Sequence, residues 1–117
     1  MSGRILSLSK KKDFDQVFKA GHSCFDKAIG LKAKANETDQ HRLGIIVSTK
    51  VSKKAVERNL LKRRLKEIMK KELAETVAGY DLVLITLPGA CKLSFAELEQ
   101  SVGRLTSRLK GKFGVKK

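Results

Sequence analysis

Between Lys50 and Glu72 the chain carries ten basic residues, Lys50, Lys53, Lys54, Arg58, Lys62, Arg63, Arg64, Lys66, Lys70 and Lys71, against three acids, Glu57, Glu67 and Glu72. Half of the formal net charge of +14 therefore sits in this stretch. Wound as a helix at about 100° per residue, it puts Leu65, Ile68 and Met69 within about 80° of Leu61, and Asn59, Lys62, Arg63, Lys66 and Lys70 on an arc about 100° to 200° away. A cationic ridge backed by an apolar stripe results. A charge run is ordinarily no more than a solvated helix face. Solvent-facing helices, however, usually mix signs for i to i+4 support, and this arc has no acid between Asn59 and Lys70. Like charges so close cost stability unless an anion neutralises them. Arginine adds a planar fork that matches two phosphate oxygens at once, and Arg58 and Arg63 stand near Asn59, which can donate and accept to a sugar or base edge. The chemistry on offer is binding of a polyphosphate. Arg64 and Lys71 leave from the other flank, where Glu67 lies within one turn of each, so both are expected in local ion pairs.

Other reactive residues offer less. His22 and Cys24 stand two apart with no third group to orient them, which argues against a base and nucleophile pair. His41 reads as a turn residue. Asp13 and Asp15 near a helix start suit the positive end of its dipole better than a metal. Cys24 and Cys91, with no further cysteine, supply neither a disulfide framework nor a zinc set and read as half-buried apolar residues. Gly111-Lys112-Phe113-Gly114 has the form of an RNA-clamping GxxG loop but lies in the tail rather than between helices. Nothing in the sequence suggests a nuclease site borne by the protein.

The ridge needs elements to hold it. Ser9 can cap a helix from Lys10, with Phe14, Val17 and Phe18 on one side and Gly21 closing it. From Ala28 apolar Ile29, Leu31, Ala33 and Ala35 alternate with Ala28, Gly30, Lys32 and Lys34, a strand pattern. A polar cluster at Asn36 to Gln40 precedes a second strand at Leu43 to Val47, and the two are expected to pair antiparallel. A short strand near Ser23 to Phe25 is weakly signalled. The basic helix, 18 to 20 residues from about Lys54, stops before Gly79. Tyr80 to Leu87, closed by Pro88-Gly89, reads as a central strand. Ser94 and Glu97 form a capping box, with Leu93 able to staple onto Leu98, for a last helix buried through Leu98, Val102, Leu105 and Leu109 and ended by Gly111. Residues 112–117 are expected to fray.

These elements, helix-strand-strand-helix-strand-helix, predict an α+β fold, a two-layer α/β sandwich with a mixed sheet. Length and composition agree: 117 residues make one domain, and Leu, Ile, Val and Phe supply 34 of them, enough for a core. The longest apolar runs are far too short to span a bilayer, and Met1 to Leu8 is no secretory signal, so a cytoplasmic, non-membrane protein is expected. A DNA-binding role is disfavoured, because no partner helix makes a helix-turn-helix and no zipper dimerises the basic region. A ribosomal or ribosome-assembly protein that binds structured ribosomal RNA through the same ridge remains an alternative.

Lys54 to Glu67, Lys-Ala-Val-Glu-Arg-Asn-Leu-Leu-Lys-Arg-Arg-Leu-Lys-Glu, resembles the arginine-asparagine-arginine signature of the bacterial ribonuclease P protein component. Asp13-Phe14 with Val17-Phe18-Lys19 and Gly21, Arg42-Leu43-Gly44-Ile45 with Val47-Ser48 and Lys50, and Tyr80-Asp81 recur there in the same order, so the likeness covers roughly residues 6 to 110. The resemblance implies a protein cofactor of an RNA enzyme that removes the 5′ leader from precursor tRNA. It also implies a monomer when bound to RNA, with Mg2+ held by the RNA and no cofactor on the protein. By motif position it assigns Arg58, Asn59, Lys62, Arg63 and Lys66, with Lys53, Lys54 and Lys70 beside them, to the catalytic RNA. It assigns a cleft of Phe14, Phe18, Lys32, Lys34, Ser48 and Lys50 to the single-stranded leader. Phe14 and Phe18 fit core packing equally well. Leu60 and Lys66 replace frequent arginines, and Lys32 stands where the family often has an aromatic. A left-handed crossover through the signature helix is implied as well, against the usual right-handed rule.

Overall fold

The computed structural model describes residues 5–8, 10–36, 38, 40–74 and 79–113. In chain order they form β1 (Ile5–Ser7), α1 (Lys11–Ala20), β2 (His22–Asp26), β3 (Ile29–Ala35), β4 (His41–Ile46), α2 (Ala55–Leu73), β5 (Tyr80–Thr86) and α3 (Phe95–Phe113). The five strands make one mixed sheet in the order β1-β4-β5-β3-β2. The sequence reading misses β1, which at three residues is too short to show alternation, and it only hints at β2.

β5 is central because it is apolar on both faces: Leu82, Val83 and Leu84 are all buried. It pairs antiparallel with β3 and parallel with β4. The expected β3–β4 hairpin is therefore wrong, since β5 lies between them. The polar cluster after β3 is a bridge over the start of β5. Asn36 N–H donates to Gly79 O (3.2 Å), Gly79 N–H donates to Thr38 O (3.1 Å), and Asn36 Nδ2 donates to Gln40 O (2.9 Å). Gly79 fits because it has no side chain; a Cβ there would meet Thr38 O, would lie 2.6 Å from Asn36 Oδ1 and 2.7 Å from Gln40 O. Gly79→Ala should accordingly cost about 1 to 3 kcal/mol, read as a lower urea midpoint at unchanged slope.

The helices lie on both faces. Leu61, Leu65, Ile68, Met69 and Leu73 of α2 and Leu98, Val102, Leu105 and Leu109 of α3, all expected at buried positions, pack with Ile29, Leu31, Ala33, Leu43, Leu82 and Leu84 in the main core. On the other face α1 alone forms a small cluster, Val17 with Leu8 and Val83, flanked by Phe14, Ile46 and Ile85.

The helix ends differ in part from expectation. Ser94 and Glu97 cap α3 reciprocally, Glu97 N–H to Ser94 Oγ (3.1 Å) and Ser94 N–H to Glu97 Oε1 (2.9 Å). At α1 the N-cap is Lys10, which makes no side-chain cap bond; Ser9 lies outside the described residues. α3 runs through Gly111 to Phe113, because one helical glycine costs only about 1 kcal/mol and no proline follows to stop it. The expected frayed tail is thus helical at its first two positions, and residues 114–117 lie outside the described residues.

Candidate nucleic-acid interface

α2 turns its apolar stripe to the sheet and leaves Asn59, Lys62, Arg63, Lys66 and Lys70 exposed. Among the described residues none of these four cations makes an ion pair. Lys53 and Lys54 are exposed where the helix begins. Arg58 is different: half-buried, it donates from Nη1 to Ser52 O (2.8 Å) and holds the preceding loop against the helix. Ser52 Oγ accepts from Lys54 N–H (3.1 Å) and donates to Glu57. The expected pairing through Glu67 does not form among the described residues. Lys71 instead reaches Glu99 of α3 (3.2 Å), because α3 packs along that flank, and Arg64 lines a depression with Glu57, Leu60, Cys91 and Leu93.

Asn59, Lys62, Arg63 and Lys66 form one wall of an open trough of about 630 Å³, whose floor is Ile5 to Leu8 of the β1 edge with Leu43 to Ile45 of β4. Phe14 closes its far side. The ridge thus borders a concave surface rather than standing alone.

The second surface follows from strand register. Gly44, Val83 and Lys32 are cross-strand partners in one row. α1 crosses above that row, with Phe14 against Gly44, Val17 buried near Val83 and Phe18 beside Lys32. To one side lies the row Arg42, Asp81, Lys34; to the other lies the row Ile46, Ile85, Gly30, Phe25. Phe14 and Phe18 lie on the flank of α1 opposite to Asp13, one turn apart, their ring centroids separated by 6.5 Å. Phe18 is 42% exposed, and Lys32 Nζ lies 5.6 Å over its ring, a cation–π contact. An open aromatic, a cation and a floor of Ile46 and Ile85 make a surface on which bases can stack while an ammonium meets phosphate.

The proposed cleft residues divide on this geometry. Phe14 is half-buried and packs against the small core while also lining the open trough, whereas Phe18 faces solvent. Ser48 and Lys50 are exposed in the turn beyond Ile46, at the end of β4. Lys34 belongs elsewhere: its cross-strand partner is Asp81, on the far side of α1. There Asp81 accepts from Arg42 Nε (2.8 Å) and Asn36 Nδ2 (2.9 Å), and Arg42 Nη1 reaches Asp13 (3.2 Å). Burial pushes the Asp81 carboxyl up, but the bonds from Arg42 and Asn36 and the charges of Arg42 and Lys34 outweigh it and hold it below the usual range. Asp13 is therefore an anchor of α1 as well as a dipole partner. His41 is no turn residue: buried at the head of β4, it accepts from Tyr80 N–H at Nδ1 (3.2 Å) and stacks on the Tyr80 ring. Cys24 and Cys91 are half-buried, as expected, and Cys24 Sγ donates to Leu105 O (3.7 Å). Among the described residues no cluster of three or more His, Cys, Asp or Glu could hold a metal, and no helix is long and apolar enough to cross a membrane.

A sequence model of the family described as Ribonuclease P matches residues 3–110. The chain belongs to the ribonuclease P protein component family. It is 34% identical over 106 residues to the ribonuclease P protein component of Clostridioides difficile (strain 630), covering 90% of this chain and 92% of that one. To the component of Pseudomonas aeruginosa (strain LESB58) it is 40% identical over 93 residues, covering 73% and 68%. The fold agrees with the Staphylococcus aureus RNase P protein at a TM-score of 0.82 and 28% identity, over 92% of this chain and 97% of that one. The Thermotoga maritima RNase P protein agrees at 0.75 and 28%, over 90% and 96%. The mixed sheet with three helices is thus that of solved ribonuclease P proteins. Sequence reasoning missed Ile46, Ile85 and Phe25 on the cleft side of the sheet. No local signal marks them, since only register places them in one row.

Proposed function

We propose that the chain is the protein cofactor of ribonuclease P in the cytoplasm. The ridge of α2 binds the catalytic RNA, and the cleft beside α1 receives the single-stranded 5′ leader of precursor tRNA. Lys62, Arg63, Lys66 and Lys70 contact phosphates, with Lys53 and Lys54 extending the footprint and Asn59 available to a sugar or base edge. Hydrolysis belongs to the RNA and its Mg2+; the protein, one copy per RNA, holds the leader and neutralises backbone charge so that fewer free cations are needed. The observation that carries this reading is the row of exposed cations on α2, Lys62, Arg63, Lys66 and Lys70, which among the described residues have no carboxylate partner.

The test is reconstitution of the full chain with bacterial ribonuclease P RNA and a precursor tRNA at low Mg2+. Leader removal should be faster than with RNA alone. No gain in rate would overturn the reading in favour of a ribosomal-RNA binder.

A further inference from the structure

We propose that Phe25 is a base-stacking residue that extends the cleft by one nucleotide toward the β2 edge of the sheet. The proposal rests on the reading of the cleft as a site for single-stranded leader. Phe25 and Gly30 are direct cross-strand partners. The ring lies so close over Gly30 that a Cβ there would strike three of its carbons. Gly30 is itself buried by this cover, while Phe25 remains 49% exposed, the most open aromatic ring among the described residues. One ring face is seated on backbone and the rest is offered to solvent, the arrangement a base needs to stack without first ordering the side chain.

An aromatic laid across a strand glycine is by itself a packing device. Placement sets this one apart. Phe25 ends the row Ile46, Ile85, Gly30, Phe25, the floor beside Phe14 and Phe18. Lys32, two residues from Gly30 on the same strand face, has its ammonium over Phe18. Phe18, Lys32 and Phe25 thus read aromatic, cation, aromatic along one open surface. On the outer side of Phe25, Arg108 of α3 donates from Nη1 to the Phe25 carbonyl (2.8 Å). Its side chain stays half exposed and only loosely paired, with Nη2 at 3.9 Å from Asp26. One cation therefore stands over the neighbouring Phe18 ring and another at the Phe25 backbone, within reach of the phosphates that a strand stacked on Phe25 would carry.

The experiment uses holoenzyme reconstituted from the full chain and measures its affinity for precursor tRNAs whose leaders are shortened one nucleotide at a time. The variants are Phe25→Ala, Phe25→Leu, Phe25→Tyr and Phe18→Ala. Phe25→Leu keeps an apolar cover on Gly30 but removes the π face, so it separates stacking from folding. Phe25→Ala and Phe25→Leu should each weaken binding of long leaders by about 5- to 100-fold, the effect of losing one stacked base. The loss should vanish once the leader is too short to reach β2, and Phe25→Tyr should restore it. A loss with Phe18→Ala but none with Phe25→Ala or Phe25→Leu would overturn the proposal and leave the cleft reading standing. A Phe25 effect independent of leader length would overturn it too, and no effect from either Phe18 or Phe25 would overturn the cleft reading with it.

Discussion

Replacing Lys62, Arg63 and Lys66 together with Ala should weaken binding of the catalytic RNA by roughly 100- to 500-fold at about 0.1 M salt, through lost counterion release at three phosphate contacts. The same variant should flatten the plot of log affinity against log salt by about 2 to 3 units, at 0.7 to 0.9 per contact. The fold should not suffer. All three side chains are exposed and lack ion-pair partners among the described residues, and alanine is the better helix former. Relief of like-charge crowding should leave the melting midpoint unchanged or slightly raised. Binding titrations at four or five salt concentrations, alongside a thermal melt, separate the two effects. A slope equal to that of the unaltered chain would remove the ridge from the interface. Arg58→Ala is expected to do the reverse, costing stability at the Ser52 carbonyl and less of the salt slope, since one of its donors is already committed.

Arg42→Ala should destabilise the fold by several kcal/mol. Removing one partner of a buried ion pair typically costs about 3 to 5 kcal/mol, and because Arg42 is 34% exposed the lower end of that range applies. Among the described residues Asp81, whose side chain is 8% exposed, would keep only Asn36 as a hydrogen-bonding partner, and α1 would lose its tie through Asp13. The sign of the pH dependence follows from the depressed Asp81 carboxyl. A carboxyl lowered on folding contributes stability above its unfolded value, about 3.9, and that contribution fades as pH falls through the folded value. Asp26, held low by the Arg104 guanidinium and by Ser101 against the opposing effect of burial, acts with the same sign. Urea unfolding from pH 7 downward should therefore show stability falling below about pH 4, with a shallower fall in Asp81→Asn. Equal slopes in the two proteins would assign the acid sensitivity to other groups.

What could be read from the sequence was whatever repeats within one element. The apolar stripes of α2 and α3, the capping box at Ser94 and Glu97 and the apolar strand at Tyr80 are local patterns, and each is found where the pattern put it. Strand partners are not local. Asn36 to Gln40 has the composition of a hairpin turn, and nothing within it announces that it spans Gly79. The ridge was legible because a helical wheel needs only spacing, whereas the bond that holds Arg58 depends on a loop carbonyl six residues away. Lys32 and Lys34 share a strand face and looked equivalent, until the path of α1 between their rows put one in the cleft and the other beside Asp81. Phe25 escaped notice for the same reason.

The unequal covering of the two sheet faces bears on the cleft proposed for the leader. Among the described residues, one face is sealed by two long helices over seventeen buried residues, the other by a ten-residue helix whose cluster counts only Leu8, Val17 and Val83 as buried. Free energy for local opening scales with such burial, so α1 is the cheapest helix to lift. If the cleft holds a single-stranded leader as proposed, the pair Phe14 and Phe18 rides on the element whose displacement disturbs the main core least, which suits a surface meant to accept bases of either size.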